Sequence, residues 1–170
     1  IEGYGMTETS PVVIASPLDI AEWTGSIGLP IPSTQVVILD DEEHELAVGE
    51  VGEICVRGPQ VMPGYWNHPE ETAKVFTREG WLRTGDLGSM DERGYFRITD
   101  RKKDMIVVSG FKVYPNQIED VVALHPGVKE VAAIGVPDER SGEIVKIIVV
   151  RQDATLTEQA LLDHCRKHLT

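Results

Sequence analysis

Cysteine is scarce in this chain: two among 170 residues, Cys55 and Cys165, far apart in sequence. Two such residues make neither a disulfide framework nor a zinc-binding Cys pair, and a reducing cytoplasm is the natural compartment. Long apolar runs are missing as well. None reaches the roughly 20 residues that a membrane-spanning helix needs, and no segment has the order of a signal peptide. Positive charge is in short supply, with Lys plus Arg at 16 against Asp plus Glu at 28, a net charge of −12. This argues against nucleic acid as a partner and against a surface that clings to anionic lipid, since both depend on Lys and Arg. The excess of acid serves solubility. No G-x-x-x-x-G-K-[ST] phosphate loop is present. Gly3-Tyr4-Gly5 does not continue into G-x-G-x-x-G, because Glu8 stands where the third glycine belongs.

What is present reads as globular. Hydrophobic residues make up 41% and charged residues 26%, and the length suits one ordinary domain or two small ones with a real core. The opening Ile1-Glu2-Gly3-Tyr4-Gly5 has neither Met nor a targeting signal and reads as a cut inside a longer protein. Up to residue 100 the pattern is β. Val12-Val13-Ile14, Val36-Val37-Ile38-Leu39, Glu53-Ile54-Cys55-Val56 and Tyr95-Phe96-Arg97-Ile98 are short β-branched or aromatic runs between Gly, Pro and Asp. Strands at this spacing predict a small barrel or a curled sheet. Asp40-Asp41-Glu42-Glu43-His44 predicts an exposed turn, and Pro69 can open a short helix over 69–76.

Composition shifts at Asp100-Arg101-Lys102-Lys103-Asp104, a charge run that predicts a linker or hinge at 101–104. Beyond it, Met105 to Tyr114 reads as a β-hairpin turning at Ser109-Gly110. Pro115 opens a helix whose apolar face carries Ile118, Val121 and Val122. Val131 to Ile134 and Ile144 to Val150 predict buried strands. Thr157 can cap a last helix with Leu161, Cys165 and Leu169 at steps of four. The whole is α+β: a β-rich, barrel-like part over 1–100, then a small, truncated α+β domain over 105–170.

Three segments could carry chemistry. In Tyr4-Gly5-Met6-Thr7-Glu8-Thr9, Gly5 allows close backbone approach, Tyr4 offers a flat face for a base, Thr7 a hydroxyl for phosphate, and Glu8 a hard oxygen for Mg²⁺. A polar turn before a strand would look the same. In Trp81-Leu82-Arg83-Thr84-Gly85-Asp86, a carboxylate beside Gly at a strand end can accept from both ribose hydroxyls, although an ordinary Gly-Asp turn also fits. In the charge run, Arg101 could fork onto ribose or phosphate oxygens, against a merely solvated turn. His164 and His168, four apart around Cys165, have a zinc-compatible spacing but no supporting ligands; a polar helix face is the better reading.

In this order the segments resemble the adenylate-forming superfamily of acyl-CoA synthetases, luciferases and peptide-synthetase adenylation domains, over essentially the whole chain. Tyr4-Gly5-Met6-Thr7-Glu8 resembles the adenine and magnesium motif, and Thr84-Gly85-Asp86 the ribose motif. Gly52-Glu53-Ile54-Cys55-Val56-Arg57-Gly58, running to Gly64-Tyr65-Trp66, resembles a further block of the family. Asp100 to Asp104, with Ser109 to Pro115, resembles the hinge and the loop after it. The resemblance implies a two-step ligation with ATP, Mg²⁺ and CoA: a carboxylate attacks the α-phosphate, and the CoA thiol then displaces AMP. It implies that Tyr4 stacks on adenine and that Gly5 lies against the nucleotide. Thr7 would contact the α-phosphate, Glu8 hold Mg²⁺, and Asp86 and Arg101 bind ribose. Lys103 would be the pivot, and Gly110 would approach the pantetheine channel.

Gly25 to Thr34 and Val113 to Val122 are most similar to bacterial long-chain fatty-acid–CoA ligases, which implies a fatty acid as partner and leaves peripheral membrane contact and homo-oligomerisation of a longer protein open. The family's upstream Ser/Thr/Gly-rich phosphate loop is absent. So is its C-terminal catalytic Lys, which Lys167 does not match. The fragment alone is therefore expected to be inactive. A non-catalytic, self-associating module is the competing reading, and an aryl-CoA ligase, luciferase-like or peptide-synthetase enzyme is another.

Overall fold

The computed structural model describes residues 2–19 and 25–169. The chain forms two compact units, Ile1–Lys102 and Lys103–Thr170. In the first, β1 (Gly3–Gly5), β2 (Val12–Ala15) and β3 (Leu29–Pro30) make an antiparallel three-stranded sheet, with a 3-10 turn at Thr7–Thr9 between the first two. A second antiparallel sheet runs in the order β4 (Gln35–Leu39), β5 (Gly52–Arg57), β6 (Leu82–Met90), β7 (Phe96–Arg101). The two sheets meet where Phe96 N–H donates to the Gly28 carbonyl at 3.0 Å and the Phe96 carbonyl accepts from Ile27 N–H at 2.9 Å. Neither sheet closes among the described residues, so the barrel expectation resolves into two open sheets joined at one corner.

The β-branched runs form strands because their side chains fill the space between these sheets. Val13, Ile14, Ile38, Ile54, Val56 and Phe96 make the core. Alternation sends Ile54 and Val56 into it and turns Glu53 and Cys55 to the other face of β5, where both are also buried. Helix α1 (Pro69–Val75) starts on its proline and buries no residue.

The second unit holds the hairpin β8 (Ile106–Val108) and β9 (Phe111–Val113), then α2 (Pro115–Ala123), β10 (Val128–Asp138), β11 (Gly142–Arg151) and α3 (Glu158–His168). Ser109 and Gly110 both have positive φ, 51° and 85°, as a two-residue hairpin turn of the right twist requires. The sheet order is β10-β11-β8-β9. Thr157 caps α3 by accepting from Ala160 N–H at 3.2 Å. Ile118, Val122, Ala133 and Cys165 form the core, with Val145, Ile147, Val149 and Leu161 packed on it. The expectation of fully buried strands is corrected here. Ile144, Ile148 and Val150 alternate away from the helices and are 44%, 50% and 47% exposed. A continuous apolar run usually marks a strand covered on both faces, but α2 and α3 line only one face of β11.

Candidate functional site

The most informative feature is a defect in a ladder. Glu53 on β5 pairs with Leu87 on β6, yet Cys55 pairs with Arg83, so β6 carries two more residues than its partner over this step. The extra chain, Thr84-Gly85-Asp86, bulges out of the sheet. Three bonds hold it: Thr84 Oγ1 donates to the Ile54 carbonyl at 2.8 Å, Asp86 N–H donates to Thr84 Oγ1 at 3.1 Å, and Gly85 N–H donates to Glu53 Oε1 at 3.2 Å. Gly85 takes φ +76°, a conformation other residues rarely adopt. Asp86 therefore projects from a bulge inside a strand rather than from the strand end that its sequence context predicts.

Tyr4 bonds this carboxylate, and Arg101 stands opposite it in the ladder. Tyr4, on β1, donates its phenol to Asp86 Oδ2 at 2.6 Å. Burial, and next the Asp86 carboxylate, push the phenol above its ordinary pKa, so Tyr4 stays a donor. Arg101, on β7, is the cross-strand partner of Asp86, and paired residues share a face of the sheet. Asp100, the first residue of the charge run, lies within β7 and is only 3% exposed, so the alternative of a merely solvated turn does not describe it.

Thr7 and Glu8 sit in the 3-10 turn, Thr7 exposed and Glu8 half-buried. Gly5 is explained by its own chain: a Cβ there would stand 1.8 Å from the Pro11 carbonyl oxygen, which accepts Met6 N–H. The turn is held from outside by the segment after β5. Tyr65 donates its hydroxyl to Glu8 Oε1 at 2.8 Å, and Met62 N–H donates to the Glu8 carbonyl at 2.8 Å. Sequence reasoning gave Tyr65 no role, and its distance of 57 residues from Glu8 explains why.

Glu53 was missed in the same way. Its side chain is 5% exposed and accepts from Arg83 Nη1 and Lys102 Nζ, both at 3.0 Å on Oε2. The signal was there: a lone acid inside a buried β-branched run needs cations. Lys103 and Gly110 belong to the second unit and are exposed. His164 donates from Nε2 to the Val121 carbonyl at 2.9 Å, and no group of three metal-ligating side chains exists among the described residues. A groove of about 550 Å³ lies between β11 and α3, lined by Val145, Leu161 and Cys165 among others, and no motif residue lines it.

The bulge thus presents a carboxylate bonded to a phenol, with an arginine as its partner on the neighbouring strand. Two family models match the chain: AMP-binding enzyme over residues 1–66, and AMP-binding enzyme C-terminal domain over residues 117–170. The chain belongs to the AMP-binding enzyme family. It is 58% identical over all 170 residues to the long-chain-fatty-acid–CoA ligase of Escherichia coli O157:H7, and spans 30% of that protein's length. It is 49% identical over 164 residues to the enzyme of that name in Bacillus subtilis, covering 96% of this chain and 29% of that one. Among solved structures it is similar to ATP-bound MatB from Rhodopseudomonas palustris, with a TM-score of 0.93 and 42% identity over 99% of this chain and 34% of the other. It is also similar to o-succinylbenzoate CoA synthetase of Bacillus subtilis in complex with ATP and magnesium, with a TM-score of 0.83 and 35% identity over 99% and 35%.

Proposed function

We propose that this chain is the nucleotide-binding and hinge-bearing stretch of an ATP-dependent, AMP-forming ligase that joins a long-chain fatty acid to CoA. Asp86, raised out of its ladder beside Tyr4 and opposite Arg101, is the observation that carries the reading. The names of the relatives supply the acid and the thiol. Asp86 accepts from both ribose hydroxyls while its second oxygen stays on the Tyr4 phenol, since an ionised carboxylate has about four acceptor sites. The Tyr4 ring gives adenine a flat face. Thr7 donates to an α-phosphate oxygen, where charge builds as the fatty carboxylate attacks and pyrophosphate leaves, and again as the CoA thiol displaces AMP.

The residues present suit Mg²⁺. Glu8 offers a hard oxygen, and Mg²⁺ commonly takes one or two carboxylates with substrate phosphates and water rather than a full protein cage. When bound, the ion supplies charge screening of the phosphates. Lys103 is the pivot about which residues 105–170 move between the two half-reactions, and the exposed Ser109-Gly110 turn approaches the pantetheine arm of CoA. No helix among the described residues is long and apolar enough to cross a membrane.

The test is Asp86→Ala in the full-length protein, assayed for fatty-acid- and CoA-dependent AMP release. Loss of hydrogen bonds to a charged group predicts a KM for ATP raised about tenfold or more. Unaltered ATP kinetics would overturn the ribose assignment.

A further inference from the structure

Glu53 is the one acid of the β5 run, and everything around it points in two directions. Its Oε1 accepts the Gly85 N–H at 3.2 Å, inside the bulge that carries Asp86. Its Oε2 accepts Lys102 Nζ at 3.0 Å, and Lys102 is the last residue of the first unit. A third bond closes the triangle: Lys102 N–H donates to the Gly85 carbonyl at 2.8 Å. Arg83, at the foot of the bulge, bonds Glu53 at 3.0 Å and Glu43 at 2.7 Å, while Lys102 also reaches Asp41 at 2.9 Å. Burial works against the Lys102 ammonium, but Asp41 and Glu53 outweigh it and raise its pKa.

We propose that Glu53 is a positioning residue that locks the nucleotide-binding bulge and the root of the hinge into one rigid piece. Movement of the chain then begins at Lys103 and not before, and the carboxylate of Asp86 keeps its aim while it does. A buried acid costs several kcal/mol unless it is paired, roughly. A purely structural purpose would be met more simply by an apolar residue, as at Ile54 and Val56 on the same strand. What an apolar residue cannot do is grip a backbone N–H in the bulge and an ammonium at the hinge root together.

The inference rests on Asp86 contacting the nucleotide, so the test separates the two. In the full-length protein, Glu53→Gln keeps shape and removes charge, and Lys102→Met cuts the bridge from the other side while Arg83 still pairs the acid. Two measurements are made on each: AMP affinity by calorimetry, and amide hydrogen exchange over residues 83–104 against the β4 region. Both variants are expected to weaken AMP about tenfold, the effect of one hydrogen bond to a charged group. Both should also speed exchange at Gly85 and Lys102 with β4 unchanged. The double variant should lose little more than either single one, because the two side chains act as a unit. A lower Tm with AMP affinity and local exchange unchanged in Lys102→Met would overturn the proposal, whether or not Glu53→Gln folds. If Asp86→Ala leaves AMP binding intact, it is the nucleotide assignment that fails. If Asp86→Ala weakens binding and the other two do not, the coupling fails and the assignment stands.

Discussion

Tyr65 holds Glu8 by its side chain while Met62 holds it by its backbone. A carboxylate tethered at one oxygen has the other turned to a fixed direction, which is what a ligand for a small, geometrically strict cation needs. Tyr65→Phe removes the tether and keeps the ring. We expect Mn²⁺, used in place of Mg²⁺ and followed by electron paramagnetic resonance with ATP present, to bind the full-length variant about tenfold more weakly, at the low end for such supporting bonds. Turnover at saturating metal should be spared. Equal metal affinity would remove Tyr65 from the site. The residues proposed to touch ligand were legible only through the order of their motifs and the resemblance that order carries, since each segment alone also fits an ordinary turn. The residues that hold them were not, because Tyr65 and Glu8 are 57 positions apart and Lys102 and Glu53 are 49 apart. No local pattern joins such pairs.

At the scale of elements, strands with β-branched residues were legible, and so were helices opened by Pro69 and Pro115 and the turn at Ser109-Gly110. The strand β6 was not. Leu82–Met90 carries two glycines and no valine or isoleucine, and it is made a strand by its neighbours β5 and β7 and not by its own propensity. The bulge at Thr84-Gly85-Asp86 depends on register, which appears only once two strands are side by side. β11 shows the reverse failure: its propensity is strong, but the sequence does not say how many of its faces are covered. Where an element depends on a local bond, sequence and structure agree, and the cost of breaking the bond can be stated. Thr157→Ala removes the cap of α3 and should lower the stability of the second unit by about 1 kcal/mol. Chemical denaturation would measure it, with the far-ultraviolet signal as probe. No change would mean that Ala160 N–H finds water instead.

The described residues form two cores, one around Ile14, Ile54 and Phe96 and one around Val122, Ala133 and Cys165. The two cysteines are divided between them. Cys55 is fully buried in the first unit, with its thiol pushed up to about 12 by burial and next by the Glu53 carboxylate. Cys165 is 9% exposed on α3, with its thiol also raised by burial. Since the thiolate is the reactive form, each should resist alkylation until its own unit opens. Each unit thus carries its own clock. Timed alkylation in moderate urea, read site by site by mass spectrometry, should give two separate rates, and Cys55→Ala should erase one and leave the other. A single shared rate at every urea concentration would mean that the two units open as one.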